Sequence, residues 1–131
     1  LLPVSQHALA YYSRVVYHDY EGVALDLDEQ QRLVANLGQS NILILRNHGL
    51  LTGGVSVEHA FRELHGLERA CNIQIAAQAG GNDQLQYASP AAIAKVHEQS
   101  KRFSDGKGDG IQRHWDALIR QLDREGRDYQ I

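Results

Sequence analysis

The feature that most constrains the fold is the aliphatic run Ile42-Leu43-Ile44-Leu45, in which no polar residue alternates with the apolar ones. A strand with one face in water alternates apolar and polar residues, so a continuous apolar run predicts a strand that is covered on both faces. Strands of this kind occupy the centre of sheets that carry helices on either side. The run therefore predicts an α/β fold, and specifically a three-layer α/β/α sandwich.

Helical patterns lie on both sides of this run, as such an architecture requires. The clearest begins after Ser56, a residue type that caps helix N-termini, and ends at Gly80-Gly81. Its apolar residues predict one buried stripe made of Val57, Phe61, Leu64, Leu67, Cys71 and Ile75. Further helices are predicted over residues 6–13 after Ser5, from Asp28 to Gly38, after Ser89-Pro90, and along Trp115, Leu118, Ile119 and Leu122.

Two shorter segments, residues 14–17 and 23–25, are weaker strand candidates. No internal repeat and no linker divides the chain, so residues 1–131 are interpreted as part of a single domain. The chain contains no methionine and opens on Leu1-Leu2-Pro3-Val4. We expect it to be the C-terminal portion of a domain whose N-terminal elements belong to a longer gene product.

Composition argues against several classes of function. The chain has 13 Lys and Arg against 16 Asp and Glu, a net charge of −3, so no basic field favours a nucleic-acid partner. No apolar run approaches the ~20 residues of a membrane-spanning helix, and no signal-peptide pattern is visible. The single cysteine, Cys71, excludes an intrachain disulfide and fits a reducing cytoplasm.

His48 is the residue most suggestive of chemistry, because it stands where the buried strand stops and a glycine-rich segment begins. In open α/β sheets, ligands bind outside the carboxyl ends of strands. An imidazole there can bind a metal or move protons, and Asn47 and Gly49 let the backbone turn tightly. The alternative is a strand-end histidine that hydrogen-bonds a neighbouring carbonyl, and position alone favours that alternative.

The other six histidines complete no site by their spacing. His59 and His65 are six residues apart on one helix, so they do not share a face, and both are predicted to lie on the surface. His97 and His114 are also predicted to be exposed, whereas His7 and His18 lie near the start and in a polar turn. A calcium-loop template fits Asp105, Asp109, Gly110 and Asp116 poorly, and we interpret residues 105–110 as a solvated loop.

Several segments resemble the class II aldolase/adducin family. They are LRNHGLL at residues 45–51, the spacing from there to Glu58 and Ala60-Phe61, and ERAC at residues 68–71. LPVS at residues 2–5, YHDYEG at 17–22 and NLG at 36–38 point to the adducin-like branch, which includes bacterial aldolase-like proteins. The resemblance runs from Leu1 to about Gly81, and more loosely to the Trp115 helix.

The resemblance implies an α/β/α sandwich that assembles as a cyclic homotetramer with sites near subunit interfaces. In active members of the family three histidines hold a zinc ion, and His48 matches the third of them. The other two form an upstream His-x-His pair, and an upstream glutamate shuttles protons; neither can be located in this chain. The implied function is zinc-assisted carbon–carbon cleavage of a small hydroxylated or phosphorylated carbonyl compound.

Two functional hypotheses follow from this resemblance. In the first, the full-length parent is a zinc-dependent, cytoplasmic lyase, while this chain alone holds no fully coordinated zinc. In the second, the domain is a non-catalytic oligomerisation scaffold, as in adducin heads, because a shared fold does not imply shared chemistry. Both predict a homo-oligomer, since a sheet that lacks its leading strands leaves edges and apolar surface to cover.

Overall fold

The computed structural model describes residues 1–22, 27–104 and 109–126. Its elements, in chain order, are α1 (Gln6–Tyr12), β1 (Val16–His18), α2 (Leu27–Leu37), β2 (Ile42–Leu45), β3 (Gly49–Thr52), α3 (Val57–Gln78), a 3-10 turn (Asn82–Gln84), α4 (Pro90–Ser104) and α5 (Asp109–Glu125). The predicted α/β class is therefore confirmed. The strand candidate at residues 23–25 lies outside the described residues, as do residues 105–108 of the predicted loop. Asp109 and Gly110, assigned to that loop, instead begin α5.

The aliphatic run forms the central strand of a three-stranded sheet, as the sequence predicted. β2 pairs in parallel with β1, with Tyr17 opposite Ile44, and antiparallel with β3, with Leu43 opposite Leu51. Ile42 and Leu43 are fully buried. The strand β3 was not predicted, because residues 49–54 suggested only a glycine turn.

A tight hairpin turn at residues 46–48 joins β2 to β3. Asn47 has φ of 56°, in the left-handed region that asparagine tolerates better than most residues. The His48 N–H donates to the Leu45 carbonyl at 3.1 Å and closes the turn. The turn therefore presents its side chains at the carboxyl end of β2.

The core lies between α1, α3 and the sheet. Its buried members are Ala8, Tyr11, Ile42, Leu67 and Ala70. Helix α3 contacts β3 and α1, and α2 contacts β1, so helices cover the sheet at both of its edge strands. None of the helices in the described ranges is both long enough and apolar enough to span a membrane.

The predicted stripe on α3 was wrong at most positions. Val57 and Ile75 are 71% and 65% exposed, and Phe61 and Leu64 are also exposed. The face that packs inward carries His59, Glu63, Leu67 and Ala70. Two contacts fix this rotation of the helix: the Thr52 hydroxyl donates to the Ala60 carbonyl, and the Glu63 carboxylate pairs with Arg14.

Ser56 caps α3 as predicted, because its hydroxyl accepts a hydrogen bond from the His59 N–H. The same hydroxyl, together with the Glu58 backbone N–H, holds the pKa of Glu58 below its usual value. We expect Ser56→Ala to lower the free energy of unfolding by about 1 kcal/mol in urea denaturation. Ser100→Ala, inside α4, is the matched control and should change it little. Equal losses in both variants would show that the cap contributes nothing specific.

Tyr11 gives the fold a predicted sensitivity to alkaline pH. Burial, with a smaller effect of the Glu63 carboxylate, raises the pKa of Tyr11 to about 12 from its ordinary value of 10.0. Because the folded-state pKa is the higher one, this stabilisation is complete below about pH 10 and is lost as the pH rises through about 12. The free energy of unfolding, followed in urea between these limits, should therefore fall.

Tyr11→Phe cannot ionise at this position, and we expect it to flatten that fall. Tyr87→Phe is the control, since Tyr87 is exposed. If the Tyr11→Phe variant loses stability as steeply as the parent protein, ionisation of Tyr11 is not the cause.

Candidate functional site

The structure places His48 at the tip of the β2–β3 hairpin with its side chain exposed. Its imidazole is therefore open to solvent at the carboxyl end of β2, where sequence reasoning expected a ligand to approach. Gly49 follows it, and a side chain added there would meet open space. This geometry leaves a ring that can receive a ligand from outside the chain.

Arg46 links the hairpin tip to β1 and to Asp19, the residue after it. The Arg46 N–H donates to the His18 carbonyl at 2.9 Å, and its Nε lies 2.9 Å from Asp19 Oδ1. The Arg46 guanidinium also lies over the Tyr17 ring, 4.9 Å from its centroid. These contacts fix the turn that carries His48 relative to the parallel strand β1.

A buried polar cluster lies behind the hairpin, at the end of β1. His18 is 3% exposed, and its Nδ1 lies 2.9 Å from the amide nitrogen of Asn36 on α2. Its Nε2 lies 3.6 Å from Glu29 Oε1 and 3.9 Å from Glu21 Oε1, and has no hydrogen-bond partner among the described residues. A hydrogen bond from Arg32 lowers the pKa of Glu21. The cluster ties α2 to β1 through charge and hydrogen bonding.

A second buried polar cluster lies at the opposite end of the sheet and corrects the prediction that His59 is a surface residue. His59 is 4% exposed, because it faces the sheet from the first turn of α3. Its Nδ1 accepts from the Val55 N–H at 3.4 Å, and its Nε2 lies 3.6 Å from Glu63 Oε1. Glu63 Oε2 in turn receives Arg14 Nη2 at 2.8 Å. Arg14 thereby partners a carboxylate inside the core.

The remaining histidines are partly as predicted. His65 is exposed and His7 lies exposed on α1. His97 is half-buried, since its Nδ1 contacts the Ser13 hydroxyl, and His114 is half-buried beside His65. Cys71 is half-buried against the core as expected, and burial raises the pKa of its thiol.

A zinc ion at His48 would need donors beyond those that surround it in this chain. Catalytic zinc takes three protein ligands and keeps one position open. No group of three or more His, Cys, Asp or Glu side chains in the described part of the chain is arranged to hold a metal. His48 fits the role of one accessible nitrogen donor in a site completed by other residues.

The segments that carry the hairpin and the core match a known family profile. The Class II Aldolase and Adducin N-terminal domain matches residues 1–75, which include β1, β2, β3 and most of α3. The chain belongs to this family. The family predicted from the Asn-His-Gly element and its neighbours is thereby confirmed.

Similar proteins come from both branches of the family. A Caulobacter vibrioides protein grouped with aldolase class 2 is 41% identical over 131 residues, covering 98% of this chain and 49% of that protein. Alpha-adducin from Rattus norvegicus is 42% identical over 136 residues, covering 96% of this chain and 18% of adducin. The chain thus spans about half the length of its bacterial relatives, and less of adducin.

Solved structures confirm the class II aldolase fold. An aldolase II superfamily protein from Pseudomonas syringae superposes with a TM-score of 0.94 at 61% identity, over 100% of this chain and 51% of that one. The L-fuculose 1-phosphate aldolase from Glaciozyma antarctica superposes with a TM-score of 0.72 at 23% identity, over 98% of this chain and 47% of the enzyme. The second likeness shows the fold alone.

Sequence reasoning missed the roles of both buried clusters. One signal was available for the second, because His59 and Glu63 are four residues apart and therefore share a helix face. Nothing in the sequence pairs Glu63 with Arg14, which is 49 residues away. The His18 cluster likewise joins residues from two segments, the end of β1 with the turn after it and helix α2.

Proposed function

We propose that the whole protein is a zinc-dependent lyase of the aldolase type, which cleaves a carbon–carbon bond in a small hydroxylated or phosphorylated carbonyl compound. One observation carries the proposal: the exposed His48 imidazole stands on the hairpin tip at the carboxyl end of β2. Membership of the class II aldolase family supports the reaction class. We further propose that the protein works as a cytoplasmic homotetramer.

In this mechanism the chain contributes binding and positioning. His48 would supply one nitrogen ligand, and its orientation depends on the Arg46 contacts with Asp19 and Tyr17. Zinc, when bound, would act as a Lewis acid on the substrate carbonyl. The open space at Gly49 would leave the approach to that ligand clear.

The test is the zinc content of the whole protein, purified without chelator and measured by mass spectrometry of the metal. We expect about one zinc per subunit, as for a catalytic site, and a loss of at least tenfold in His48→Ala. His97→Gln is the control. His97 lies on α4, where it contacts the Ser13 hydroxyl, and it has no place in the proposed site. A parent protein free of zinc, or a His48→Ala variant that retains it, would overturn the proposal.

A non-catalytic scaffold is the second candidate. The observation that favours it is the likeness to alpha-adducin, whose 42% identity is similar to the 41% identity of the Caulobacter vibrioides protein. A scaffold should assemble into oligomers without needing zinc. Light scattering of the whole protein before and after treatment with a chelator distinguishes the lyase from the scaffold. A zinc-free parent protein that still forms a stable oligomer favours the scaffold.

A further inference from the structure

Two histidines from different helices lie side by side where α5 packs on α3. His65 on α3 and His114 on α5 have ring centroids 5.9 Å apart and ring planes inclined at 41°. His65 is exposed and His114 is half-buried, so both rings can be reached from solvent. Neither residue belongs to the hairpin or to the two buried clusters.

Helix α5 packs on α3 through an aromatic contact that does not depend on a contact between the two histidine rings. Phe61 meets Trp115 edge to face, with centroids 5.5 Å apart and planes at 70°. Phe61 also stacks on His65, with centroids 6.0 Å apart and planes at 4°. These contacts place His65 and hold α5 at the distance that brings His114 beside it.

We propose that His65 and His114 form a two-histidine site for a first-row divalent transition-metal ion, such as Ni²⁺, Cu²⁺ or Zn²⁺. Two imidazoles bound to one metal at about 2.0–2.1 Å in tetrahedral geometry have ring centres roughly 5 Å apart. The observed separation of the ring centres is 5.9 Å, and a small rotation of either side chain would bring them to that distance. Imidazole nitrogens suit these ions, with Cu²⁺ bound more tightly than Ni²⁺ or Zn²⁺.

Such an ion would join α5 to α3. No third His, Cys, Asp or Glu among the described residues completes a larger ligand group, so water would fill the other positions. Only the unprotonated imidazole binds a metal, and acidification should therefore release the ion. The site shares no residue with the proposed zinc site at His48, so either can fail without the other.

Trp115 provides the measurement, because it is the only tryptophan of the chain and directly follows His114. We propose to titrate the 131-residue chain with Ni²⁺ at pH 7.5 and to follow tryptophan emission, which a paramagnetic ion bound nearby quenches. The expected result is saturable quenching that excess Zn²⁺ reverses. His65→Gln and His114→Gln should each weaken the apparent affinity by at least tenfold.

The control is His48→Gln, which should leave the quenching unchanged. A second measurement tests whether a variant has lost the packing of α5 on α3 rather than the metal site. Ni²⁺ should raise the Tm of the parent chain by several degrees and leave the Tm of both variants unchanged. Quenching that never saturates, that persists in His65→Gln, or that disappears in His48→Gln would overturn the proposal.

Discussion

Removing the guanidinium of Arg14 should destabilise the fold more than any other single substitution that we propose. We expect Arg14→Met to lower the free energy of unfolding by about 3–4 kcal/mol, because it leaves a charged carboxylate buried without its partner. Glu63 is 3% exposed, and its Oε2 lies 2.8 Å from Arg14 Nη2. Its other contact is His59 Nε2 at 3.6 Å, which is too long for a good hydrogen bond. Urea denaturation at pH 7 measures the change.

The double variant Arg14→Met/Glu63→Leu tests the cause of that loss. With both charges removed, apolar side chains can fill the space, and much of the stability should return. Glu98→Gln is the surface control: Glu98 pairs with Lys101 on an exposed face, where solvent screens the charges and ion pairs stabilise the fold little. If Arg14→Met costs no more than Glu98→Gln, the buried pair does not stabilise the fold as argued.

Gly66→Ala should lower the free energy of unfolding by about 1–3 kcal/mol, although alanine is the better helix former. A Cβ built at Gly66 would lie 1.9 Å from the Tyr11 hydroxyl oxygen and 2.9 Å from Cζ. Tyr11 is itself buried in the core against α3, so the ring cannot simply turn into solvent. The added methyl group must therefore push α1 and α3 apart or force the ring out of its position.

Gly110→Ala is the matched control, since Gly110 is also helical but has nothing within 4 Å of an added Cβ. We expect it to be neutral or to raise stability by up to about 1 kcal/mol. Tyr11→Phe should rescue Gly66→Ala in part, because it removes the closest atom. Equal effects of the two glycine substitutions, measured by urea denaturation, would rule out the proposed clash.

Local sequence patterns were sufficient for much of the fold. The run Ile42–Leu45 predicted the central strand of the sheet, in which Ile42 and Leu43 are buried, and Ser5 and Ser56 predicted the starts of two helices. Pro90 stands at the first position of α4, as its fixed φ favours. Such signals act within a few residues, so they can be recognised without knowledge of the tertiary packing.

The hairpin shows where local patterns were ambiguous. The stretch after Asn47 contains both apolar residues that a half-buried strand can use, Leu50 and Leu51, and the glycines of a turn. The structure resolves it as β3, because pairing with β2 satisfies the backbone groups of residues 49–52 that point toward that strand. The predicted position of His48, at the carboxyl end of the buried strand, was right, whereas its role as a zinc ligand remains a proposal.

The sequence by itself determined the class of fold, the starts of α1, α3 and α4, the central strand and the family, since each depends on residue types at short spacing. Only the tertiary structure decided which face of α3 points inward. Hydrophobicity favoured Val57 and Ile75, yet His59 and Glu63 are the buried residues. The physical reason is that a buried polar group is stable only beside a partner, and that partner, Arg14, comes from a distant part of the chain.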